Sequence, residues 1–155
     1  MGKIDLRLSE LGITLPTPVI SAGNYVPWVI TGNLVHISGQ GSVSNGKILY
    51  QGRVGESISA TDAGLGARLA AINLIAHLRT ACDGNLDRVK RIVRLFGLIS
   101  SSPNFFHLPQ VLDGASELMV SVFDEKGNHA RYVGGVMTLP FGMSVTMELT
   151  AEIET

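Results

Sequence analysis

Arg131 is the residue whose surroundings most invite chemistry. It opens an otherwise apolar run, Tyr132-Val133-Gly134-Gly135-Val136-Met137, and no acidic residue adjoins it. A guanidinium in that setting either pairs with a carboxylate brought from elsewhere in the fold or waits for an anionic ligand, which its fork of donors can grip bidentately. Glu148 lies on the polar face of what reads as the last strand, adjoining the Arg131 strand. It is a structural partner for Arg131 or a separate catalytic carboxylate, and spacing leaves both roles open.

Other chemistries meet obstacles in the spacing. Gly41-Ser42-Val43-Ser44-Asn45-Gly46-Lys47 matches a P-loop, but Ile48 stands where a hydroxyl would hold magnesium, and Asn45-Gly46 leads into a strand instead of a helix. A hairpin turn is the better reading. His36, His77, His107 and His129 stand far apart with no second ligand at a zinc spacing, so neither a metal nor a cofactor is expected. Cys82 falls near a helix C-terminus, where a thiol packs without being activated. Arg88, Lys90, Arg91 and Arg94 form a basic cluster, read as the solvated edge of a strand with no aromatic ladder to stack bases.

The elements that must position these residues follow from periodicity. Leu6, Leu8 and Leu11 mark a short N-terminal helix over 4–11, closed by Gly12, inside an N-terminal extension over 1–18. Tyr25 to Ile30 and Leu34 to Gly39 form a hairpin around Thr31-Gly32-Asn33, and Asn45-Gly46 turns the chain again before Lys47 to Tyr50. Ser59 with Asp62 starts a helix running from near Thr61 to Cys82, in which Gly64 and Gly66 offer a close-packing surface. Val89 to Ser100 is a mostly buried strand. After Pro109, the spacing of Val111, Ala115, Leu118 and Val122 makes an amphipathic helix. In the last strand Val145, Met147, Leu149, Ala151 and Ile153 face one way, and Thr146, Glu148, Thr150, Glu152 and Glu154 the other. This order predicts an α+β domain, a mixed sheet with two main helices on one face.

Composition sets the outer bounds. The 155 residues are 45% apolar and 16% charged, which fits one compact domain over 1–155. A mean hydropathy of +0.28 with so few charges predicts a homo-oligomer that buries the uncovered sheet face. A net charge of −1 lacks the basic excess of nucleic-acid binders. No apolar run approaches the ~18 residues of a membrane span, and Asp5, Arg7 and Glu10 interrupt any secretory signal. With one cysteine, a reducing, cytoplasmic location is expected.

Asn24-Tyr25, Gly32-Asn33, Ser38-Gly39-Gln40, Arg88-Val89, His129-Ala130-Arg131-x-Val133, Leu139-Pro140 and Met147-Glu148-Leu149 stand in an order that resembles the Rid family of reactive-intermediate deaminases, also called the YjgF family. The resemblance runs from about residue 19 to 153 and implies a chorismate-mutase-like fold, a homotrimer whose sheets close a central barrel, and ligand clefts between subunits. It further implies hydrolysis of small 2-imino and 2-enamino acids to 2-keto acids and ammonia, without metal or cofactor. By position, Arg131 resembles the arginine that clamps the substrate carboxylate, Tyr25, Ser38 and Gly39 the opposite wall, and Val133 a residue whose amide helps bind ligand. Glu148 resembles the carboxylate that positions water. Asp113 stands where many relatives have Asn, Tyr132 replaces a small residue, and Val133 replaces a cysteine. With two extra residues between Pro140 and Glu148, Glu148 faces the water; without them, Thr146 does. Two further readings are a non-catalytic binder or sensor of small carboxylates, and the ribonuclease or translation-inhibitor role of the family's older description.

Overall fold

The computed structural model describes residues 1–155. A hairpin begins the sheet: β1 (Trp28–Thr31) pairs antiparallel with β2 (Leu34–Gly41) across Gly32-Asn33, where Gly32 takes φ 59°. Pairing begins at Trp28, later than the Tyr25 expected, because Pro27 has no N–H to give the ladder. A second turn at Asn45-Gly46, with φ of 50° and 74°, joins β3 (Val43–Ser44) to β4 (Lys47–Ile48). Positive φ at both positions is what a tight hairpin turn requires. The segment with P-loop spacing is therefore a strand pair.

The helix α2 (Ala60–Ala81) starts where the Ser59 hydroxyl accepts the Asp62 amide at 3.1 Å, and it ends at Cys82 before the left-handed pair Asp83-Gly84. Strand β5 (Val89–Ser100), helix α3 (Leu108–Phe123), strand β6 (Ala130–Val136) and strand β7 (Val145–Ile153) complete the order. Both helices pack on one face of a sheet ordered β1-β2-β7-β5-β6, antiparallel throughout except for the β5–β6 pair. The buried alternation of β7, with Val145, Met147, Leu149, Ala151 and Ile153 in the core, follows its sequence period. Cys82 lies in that core, and burial pushes its thiol pKa up.

Strand order corrects two expectations. Strand β5 separates β6 from β7, so Arg131 and Glu148 are not on adjoining strands. Strand β5 is also interior and not an edge: Arg88 at its start is engaged by Asp83 and by the Glu154 carbonyl, while Lys90, Arg91 and Arg94 are exposed along it.

Short helix α1 (Lys3–Glu10) buries Ile4 and Leu8 against the main core. Its N-terminus is capped from afar, because the Asp87 carboxylate accepts the Lys3 and Ile4 amides at 2.8 Å each. Those two bonds hold the Asp87 carboxyl below the usual carboxylate range.

Candidate functional site

Register decides which way each candidate points. Leu95 pairs with both Arg131 and Leu149, and Leu95 and Leu149 are core residues, so Arg131 lies on the helix-covered side. Phe96 pairs with both Tyr132 and Glu148, which puts those three on the open side. Arg131 and Glu148 thus stand on opposite faces of the sheet.

Arg131 is not left open. Its Nη1 donates to Asp113 Oδ1 at 2.7 Å and to Ser116 Oγ at 3.2 Å, and its Nη2 donates to the Pro109 carbonyl at 3.4 Å. Of the two settings open to Arg131, the structure shows the pairing with a carboxylate brought from elsewhere in the fold, and that partner is Asp113 and not Glu148. The cause is the parallel β5-α3-β6 crossover, which lays one face of α3 over β6. Asp113 and Ser116, three residues apart, share that face. Nε and one Nη2 hydrogen make no bond within the chain, and the Asp113 side chain is 48% exposed.

Ser116 and His129 belong to the same cluster, although spacing alone did not join them to Arg131. His129 Nδ1 lies 2.6 Å from the Gly127 carbonyl, which can only accept, so Nδ1 carries a proton. Its Nε2 lies 3.0 Å from the Ser116 hydroxyl, whose oxygen accepts from Arg131. Val133, two residues along β6, packs its side chain against the core.

Glu148 opens into a small depression on the far face with His36, Arg94, Phe96 and Thr150. His36 Nδ1 sits 3.1 Å from Thr150 Oγ1, and the Arg94 guanidinium lies over the Phe96 ring at 5.2 Å. Tyr132 stacks on Phe96 with ring centroids 5.7 Å apart.

Tyr25 and Gly39 meet in a third place, a cavity of about 460 Å³ beside β2. Thr146 lines this cavity, and Glu148 does not. Ser38 does not line it, and its hydroxyl donates to the Val26 carbonyl at 2.7 Å. The candidates thus fall into three groups: Tyr25, Gly39 and Thr146 in the cavity, Arg131, Asp113 and Val133 around β6, and Glu148 on the open face.

A five-stranded mixed sheet carrying two helices on one face is a fold shared with proteins of known structure. Residues 5–153 match the family described as "YjgF/chorismate mutase-like, putative endoribonuclease". The chain belongs to this YjgF family. Protein TCP17 of Trypanosoma cruzi is 39% identical over 153 residues, spanning 98% of this chain and 95% of that one. The crystal structure of protein Atu1372 of Agrobacterium tumefaciens, of unknown function, superposes with a TM-score of 0.92 at 40% identity, covering 97% of this chain and 92% of that one. A Shewanella oneidensis protein described as a "putative endoribonuclease" superposes at 0.94 with 36% identity, covering 97% and 99%. YjgF membership accounts for the mixed sheet and leaves the activity to be argued from the site.

Proposed function

We propose that the chain binds small 2-imino and 2-keto acids at clefts closed between copies of itself in a homotrimer. The observation that carries this reading is the division of the site. Tyr25, Ser38 and Gly39 belong to the β1–β2 edge of the sheet, whereas Arg131 and Val133 belong to β6 at the other edge. With strands ~4.8 Å apart, three steps separate β2 from β6 by about 14 Å, farther than an acid of a few carbons reaches. A head-to-tail ring, with the β6 edge of one copy facing the β1–β2 edge of the next, would join the halves and cover two sheet edges. It would also cover Val29, Phe96 and Tyr132 on the open face.

The Arg131–Asp113 pair supports a ligand of matching charges. Nε and the remaining Nη2 hydrogen suit a carboxylate, and half-exposed Asp113 suits the cationic nitrogen of an iminium. Hydrolysis of the imine is the second reading, favoured by the hydroxyls of Tyr25 and Thr146 in one cavity, which together can hold a water. That water would add to the iminium carbon, its protons would pass to nitrogen, and the C–N bond would break to release 2-keto acid and ammonia. It stands second because the cavity holds no carboxylate to act as base. The endoribonuclease description finds less support, since Arg88 of the basic cluster is already engaged within the chain.

The test measures calorimetric binding of 2-oxobutyrate, the mass in solution by light scattering, and release of 2-oxobutyrate from enzymatically generated 2-iminobutyrate. Expected are a mass of three chains, binding that Arg131→Ala abolishes, and release no faster than in buffer. Accelerated release that is lost in Arg131→Ala establishes hydrolysis instead. A single-chain mass together with binding indifferent to Arg131→Ala overturns both readings.

A further inference from the structure

The cavity beside Tyr25 has a character that a three- or four-carbon acid does not explain. Its volume of about 460 Å³ falls within the range of pockets for much larger ligands. No residue lining it bears a formal charge at neutral pH; Ile20, Ile48, Phe141 and Met143 supply apolar wall around Tyr25. Its polar side chains, Ser21, Tyr25, Gln40, Asn73 and Thr146, are all uncharged, and the buried Asn73 is already occupied, its Nδ2 donating to the Gly41 and Val43 carbonyls at 2.9 and 3.0 Å. Such a wall offers nothing to a charged substituent and much to carbon.

Phe141 at the rim is held in an unusual backbone conformation. Its φ of 58° and ψ of 19° lie in the left-handed region that glycine enters freely, and the residue is 70% exposed. The following Gly142 takes φ 71°, and the turn is fixed from outside: Gln51 Nε2 donates to the Phe141 carbonyl and the Gly52 amide to the Gly142 carbonyl, both at 3.0 Å. Core packing does not explain an exposed aromatic residue in a strained conformation. Strain of this kind is retained where surroundings over-determine it and tends to mark ligand clamps.

We infer that this cavity receives a bulky apolar substituent of the ligand, aromatic or branched aliphatic, and that Phe141 at its rim selects for it. The inference rests on the small-acid reading above and narrows it to 2-imino and 2-keto acids with large side chains. Binding should strengthen roughly fourfold for each further methylene taken from water.

The test is a calorimetric ladder of pyruvate, 2-oxobutyrate, 4-methyl-2-oxopentanoate and phenylpyruvate, with uncharged benzyl alcohol as a probe of the cavity alone. It is run on the wild type, Phe141→Ala and Phe141→Gly, with the mass in solution followed in parallel; glycine suits the backbone at that position and guards against a folding defect. The expected result is phenylpyruvate binding about 30-fold or more tighter than pyruvate, with both variants compressing that ratio to within about threefold while the mass stays that of the wild type. A flat ladder in the wild type overturns the inference and leaves the small-acid reading standing. Benzyl alcohol binding that both variants weaken, with no acid bound, retains the apolar pocket and overturns the small-acid reading. If no compound binds and Phe141→Ala alters the mass, the cavity belongs to a neighbouring copy's side chain and the inference fails.

Discussion

At the scale of single residues, the Arg131–Asp113 contact governs what the β6 end can hold. With Asp113 about half exposed, the pair is worth at most ~1 kcal/mol to the fold, so its charge can be altered with little change in stability. Asp113→Asn keeps the shape while freeing the guanidinium, and should tighten binding of 2-oxobutyrate about 10-fold, equivalent to ~1.4 kcal/mol, with a melting temperature near that of the wild type. Calorimetry beside a thermal melt checks both halves. Arg131 is legible in the sequence because it is the cation in an apolar run. Its partner is not, since Asp113 lies on α3 and meets Arg131 only through the parallel crossover. For the same reason spacing gave no hint of Ser116. Thr146 and Glu148 share a strand face, so the period of two could not tell which of them reaches the Tyr25 cavity; only the cavity's position at one end of β7 does.

At the scale of elements, the approach of α2 to α3 depends on one glycine of the two that meet there. A β-carbon on Gly114 would overlap the Gly64 carbonyl, which is backbone and cannot swing aside, whereas one on Gly64 meets only the Val111 carbonyl at 3.8 Å. Gly114→Ala should therefore destabilise by ~3 kcal/mol, and Gly64→Ala should be neutral or gain up to ~1 kcal/mol from helix propensity. Urea unfolding of the two variants measures the asymmetry, and equal losses would contradict it. The helices and strands themselves are largely readable: Ser59 with Asp62, Asp83-Gly84 and the alternation along Val145 to Ile153 are local signals that the structure obeys. Strand order is not local. That β5 sits between β7 and β6, taking its basic residues away from an edge, depends on pairings between segments far apart in the chain, which no window of residues encodes.

For the molecule as a whole, one buried base links stability to pH. His77 is 2% exposed, its Nε2 has no hydrogen-bond partner, and burial lowers its pKa from 6.5. The unfolded chain takes up a proton as pH falls through its ordinary value near 6.5, and the folded chain resists doing so until lower pH. The stability contributed by neutral His77 is therefore complete above that value and declines below it. The urea midpoint should drop between pH 7.5 and 5.5, and His77→Leu should shrink that drop; an identical drop in the variant would assign it to other groups. Heat resistance meets a different constraint at the opposite end of the sheet. An engineer hardening this chain would exchange Phe141 for glycine, relaxing a backbone that costs of order 1–3 kcal/mol to hold. The same exchange would blunt the molecule's discrimination among ligands, so ruggedness and selectivity compete for one position.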